Sequence, residues 1–112
     1  MAILQQIQSE QFEGYLSKFT SNNLGKLTTL EYLGEKLGET GLVHDLPLLA
    51  IEFLPPEKGN NLTINLGRET IQFSHTVNAP IELLEIQNDS GRIMTLEIID
   101  HKNNKTVLSF AR

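Results

Sequence analysis

The chain has 112 residues, no cysteine and a formal charge of −5, from nine basic and 14 acidic side chains. At this length a single domain with one core is expected, spanning residues 1–112, and 39% hydrophobic and 21% charged residues are ordinary globular values. The basic residues are scattered, which argues against nucleic acid and against an anionic membrane as partners, and the lack of cysteine removes disulfides, zinc–thiolate sites and thiol nucleophiles.

The start, Met1-Ala2-Ile3-Leu4-Gln5-Gln6, lacks the basic and long apolar regions of a signal peptide. No stretch approaches the roughly 18 apolar residues of a membrane span. A cytoplasmic protein is expected.

The first predicted element is a helix from about Glu10 to Ser21. Phe12, Tyr15, Leu16 and Phe19 recur at helical spacing and form one apolar stripe. Ser9 is the expected N-cap, and Asn22, Asn23 and Gly25 supply an exit. Gly14, costly inside a helix, suggests close packing on a sheet.

From Lys26 the period changes to two. Strands are expected at Lys26 to Leu33, Leu48 to Leu54, Leu62 to Leu66, Thr70 to Val77, Ile81 to Gln87, Arg92 to Asp100 and Lys105 to Ala111. The residues from Gly34 to Gly41 read as a loop, and Pro55 to Asn60 carries the strongest turn signal. The later separators are too short for parallel crossovers, so an antiparallel meander is expected. Alternation along it places Leu84 and Ile86 inward, and Glu31, Glu52, Glu82, Glu85 and Glu97 on a solvated face. The apolar positions Leu30, Tyr32, Leu83, Ile93 and Ile99 would then fall on the second face.

Candidate chemistry is sparse. Glycines at 34, 38 and 41 miss the dinucleotide spacing, and Glu35 and Glu39 would repel a phosphate there. Gly25-Lys26 lacks the hydroxyl residue and first glycine of a P-loop. Adjacent His44 and Asp45, like Asp100 and His101, could orient an imidazole by a carboxylate if each pair lies in a turn. His75 alternates with Ile71, Phe73 and Val77, so its imidazole should point inward, as a hydrogen-bonded core residue or as the lining of a small pocket. His75, His44 and Asp45 are therefore the candidate ligand-binding residues. No catalytic set, metal site or cofactor is expected.

Thr29-Leu30-Glu31-Tyr32-Leu33-Gly34, Leu46-Pro47-Leu48 with Ile51, His75-Thr76 with Pro80, Leu84-Glu85-Ile86 and Thr106-Val107-Leu108-Ser109-Phe110 together resemble a family of short bacterial proteins known only as a domain of unknown function. The resemblance covers nearly the whole chain and implies no activity, cofactor or catalytic residue. It marks His75, Pro47 and Pro80 as positions that fit the family pattern.

The reading is an α+β fold, with one N-terminal helix on a twisted, mainly antiparallel meander sheet of six to seven strands that curls toward a partial barrel. A homodimer is expected, because a long flat sheet would leave one face bare. In function the chain reads as a non-enzymatic module that binds a protein or small-molecule partner. The alternative is a small enzyme that uses His75 with a nearby carboxylate as an acid/base pair.

Overall fold

In the computed structural model, residues 3–34, 40–88, 90 and 93–110 are described. The strands are β1 (Ile3–Ile7), β2 (Leu27–Leu33), β3 (Thr40–Leu54), β4 (Asn61–Leu66), β5 (Phe73–Asn78), β6 (Pro80–Gln87), β7 (Ile93–Asp100) and β8 (Lys105–Phe110), with one helix, α1 (Phe12–Asn23). The expected α+β fold is present, with eight strands in the order β1-β6-β7-β8-β2-β3-β4-β5 and every described pairing antiparallel. The extra strand is β1, which precedes the helix and pairs with β6.

The sheet is rolled rather than flat, and β3 makes the roll. Its first half pairs with β2 as far as Pro47, and its second half pairs with β4 from Leu48 onward. One strand therefore serves two layers. Side chains of β5 meet those of β2 and β8 across the interior: the His75 ring lies 5.1 Å from that of Tyr32 and hydrogen-bonds Thr106. The roll is not closed, since among the described residues β1 pairs with β6 alone and β5 with β4 alone.

The separator at Asn78-Ala79-Pro80 does not join sheet neighbours as expected. Ala79 alone links β5 to β6, and one residue is shorter than the two-residue loop of the tightest common hairpins. It adopts a left-handed backbone (φ 51°), donates its N–H to the Asn60 carbonyl at 2.8 Å and accepts from the His101 N–H at 3.0 Å. The chain thus turns a corner from the last strand of the sheet to the second. The meander is two separate runs, β2-β3-β4-β5 and β6-β7-β8.

The helix begins later than its sequence suggests. Ser9 does not cap it: Ser9–Gln11 form a 3-10 turn, closed by the Gln11 N–H on the Gln8 carbonyl at 2.9 Å. At the other end α1 continues to Asn23, whose buried amide donates to the Phe19 carbonyl at 2.8 Å while its oxygen accepts from Lys26 Nζ at 3.0 Å. The predicted stripe is the buried face: Phe12 meets Phe53 edge-on at 6.0 Å, and Phe19 meets Phe110 at 5.6 Å. Gly14 does not mark close packing, because a Cβ placed on it would meet nothing within 4 Å.

Cross-strand register sorts the inner face into rows. One row runs Leu30, Leu108, Leu96, Glu85, Gln5; the next runs Tyr32, Thr106, Ile98, Leu83, Ile7. Leu30 and Leu83 are therefore core residues, not members of a second face. Glu85 is inward as well, only 5% exposed, whereas Leu84 and Ile86 are half-buried, so the alternation of β6 is inverted from the expected phase. Glu31 and Glu52 do meet solvent, while Glu82 and Glu97 are half-buried. Glu97 receives Lys105 Nζ at 3.3 Å across the neighbouring strand.

Candidate functional site

His75 sits in the middle of β5, opposite the fully buried Ile64 of β4. Its inward direction follows from the strand period, since Phe73 and Val77 on the same face are half-buried and buried. Ile71 departs from that pattern. It precedes the strand and is 60% exposed.

The imidazole is held from two sides, by a 3.0 Å hydrogen bond between Nε2 and the buried Thr106 hydroxyl and by the tilted Tyr32 ring at 57°. Burial pushes its pKa below the ordinary histidine range, which favours the neutral ring. The ring is not sealed off, however. It lines a cleft of about 200 Å³ shared with Tyr32, Asn78, Asp100, Lys102 and Asn104.

The rim of that cleft is the turn between β7 and β8, and Asp100 builds it. One carboxylate oxygen accepts from the backbone N–H groups of Lys102 and Asn104, both at 2.9 Å, and the other accepts from the Asn104 side-chain amide at 2.9 Å. Asn103 takes the left-handed conformation (φ 67°), as a tight turn with an Asx bond requires. The Asp100 carboxylate, which shares the cleft with His75, is thus engaged in holding the turn. His101 follows in the same turn and also lines the cleft.

His44 and Asp45 lie elsewhere. They were expected near a turn, but they form a β-bulge within β3, where two residues oppose Thr29 between the pairs Thr28↔Leu46 and Leu30↔Val43. Asp45 has φ 57°, and both side chains are exposed. His44 Nδ1 stands 3.5 Å from the Thr29 hydroxyl. Neither residue lines the His75 cleft. The glycine-spaced loop from Gly34 to Gly41 falls largely at positions 35–39, outside the described residues. Among the described residues no three His, Asp or Glu side chains converge as metal ligands would, and no helix is long and apolar enough to cross a membrane.

Sequence reasoning missed a second polar site. Glu85 and Tyr15 meet beside the N-terminal half of α1, in a groove of about 410 Å³. The Tyr15 hydroxyl is buried with no hydrogen-bond partner. Burial first, and then the charge of the neighbouring Glu85 carboxylate and the hydroxyl's hydrogen-bonding approach to it, hold its pKa above the ordinary tyrosine range. A Leu-Leu doublet at 83 and 84 hid this site, because it permits either phase of strand alternation.

An N-terminal helix on a rolled, open antiparallel sheet, with one recess between β5 and the β7–β8 turn and another between the helix and β1, defines an α+β fold. The chain belongs to the family of unknown function DUF5335, whose model matches residues 3–112. No curated protein and no solved structure matches it.

Proposed function

We propose that the chain is a non-enzymatic binding module of the bacterial cytoplasm, that it acts as a homodimer, and that the cleft at His75 receives a small polar ligand. The observation that carries this reading is the setting of His75, oriented by Thr106 and Tyr32 and open to a recess rather than enclosed by core. Such a recess offers hydrogen-bonding groups fixed by rigid strands, as ligand sites do. Asp100 supports binding over acid/base chemistry, since both of its oxygens are committed to the turn. The exposed bulge at His44 and Asp45 is a second place for partner contact, because bulges re-aim side chains away from regular pairing.

The test is a screen of polar fragments by amide NMR on the wild type and on His75→Gln. Fragments that perturb Tyr32, His75 and Thr106 in the wild type, and bind more weakly to a folded His75→Gln protein, support the cleft. If His75→Gln and His75→Ala alter stability alone while fragment binding is unchanged, His75 is a core residue and the reading fails.

The dimer reading rests on β1. It is an open edge whose Leu4 is 63% exposed, and such edges are commonly paired or covered. Light scattering should give a mass near twice 12.6 kDa; a clean monomer mass at all concentrations overturns it.

A further inference from the structure

Glu85 occupies a position that the packing of the sheet does not explain. It lies in a cross-strand row with three buried leucines, Leu30, Leu108 and Leu96, and is itself 5% exposed. A carboxylate removed from water is costly unless a cation or several donors compensate it. Here one oxygen accepts a single 3.1 Å hydrogen bond from the Gln87 amide, and among the described residues Glu85 has no ion-pair partner. Lys18 borders the same groove without reaching it.

The helix above is cut back at this point. Gly14 stands mid-helix, where glycine is unfavourable relative to alanine. No neighbour requires its lack of a side chain, since a Cβ would meet open space. What the glycine leaves free is the groove between α1 and β1, floored by Glu85 and Tyr15, with Ile7 and the Tyr15 ring as apolar wall and Glu10 at its edge. The buried Tyr15 hydroxyl lies beside the carboxylate and makes no regular hydrogen bond, so it adds a second polar group to the floor of the groove.

We propose that this groove is a binding site for an organic cation, an ammonium or guanidinium group on an aliphatic stem, whose charged head pairs with Glu85 and accompanies the Tyr15 hydroxyl while its stem lies along Ile7 under Gly14. The head would supply the missing countercharge and further donors to the carboxylate. The stem matches the wall, because alkyl chains on cations bury readily while their heads remain polar. The site is separate from the His75 cleft and does not depend on it.

The probes are agmatine and n-pentylamine, with pentanoate as the anionic counterpart, followed by amide NMR and calorimetry on the full chain. Both amines should bind, with shifts centred on Gly14, Tyr15 and Glu85. Glu85→Gln keeps the shape and should weaken them on the order of tenfold or more. Gly14→Leu should block the stem, and His75→Gln should leave binding unchanged. Equal binding to folded Glu85→Gln, no binding of either amine to the wild type, or tighter binding of pentanoate through Lys18 would each overturn the proposal. If Gly14→Leu fails to fold, Ile7→Gln tests the same wall, and undiminished binding there overturns the placement of the stem.

Discussion

At the scale of single residues, burial and not sequence neighbourhood decides what each polar group does. Glu85 and Glu52 look alike in the sequence, each between apolar residues, yet one is inside and the other outside. His75 and His44 differ in the same way: a ring tilted against Tyr32 and bonded to Thr106, against an exposed ring on a bulge. The depressed pKa of His75 has a consequence for stability. In the unfolded chain the imidazole titrates near its ordinary value of about 6.5. Below that pH the unfolded state takes up a proton that the folded state resists, so stability falls as pH falls and the slope ends once the folded pKa is passed. His75→Gln keeps a hydrogen-bonding group for Thr106 and cannot titrate. Urea midpoints measured from about pH 7.5 down to 5.5 should therefore fall more for the wild type than for His75→Gln. Parallel curves would show that His75 titrates alike in both states.

At the scale of elements, legibility followed how strongly each local pattern is forced. The stripe of α1 was readable because Phe12, Leu16 and Phe19 have one arrangement that buries all three. Strands β4 and β8 were readable because their burial alternates along most of their length. Strand β1 was not, since Ile-Leu-Gln-Gln-Ile has no clean period of two and its pairing partner lies about eighty residues away. The first half of β3 was lost at the bulge, where His44 and Asp45 break the alternation and Pro47 reads as a boundary. In β6, the Leu83-Leu84 doublet leaves the inward phase open, and only pairing with Leu96 and Gln5 fixes Glu85 inside. The His75 site was thus visible from strand period alone, whereas the Glu85 groove exists only once distant strands are in register.

At the scale of the whole molecule, Ala79 joins opposite ends of the sheet. Its N–H and carbonyl tie Asn60, before β4, to His101, in the turn after β7, so three segments meet at one left-handed residue. That conformation costs an L-residue with a Cβ roughly 1–2 kcal/mol, which glycine avoids. Glycine also gives the unfolded chain more freedom, an opposing effect of about 0.4–1 kcal/mol. Ala79→Gly should therefore raise stability by up to about 1.6 kcal/mol, whereas Ala79→Val, β-branched where φ is positive, should lower it. Urea unfolding of the two variants checks both signs. Because the corner also holds His101 against β5 and β6, a destabilising substitution there should loosen the rim of the His75 cleft before the core, visible as amide exchange rising first at His101 and Lys102. If Ala79→Val leaves both stability and that exchange unchanged, the corner is not what holds the two ends of the sheet together.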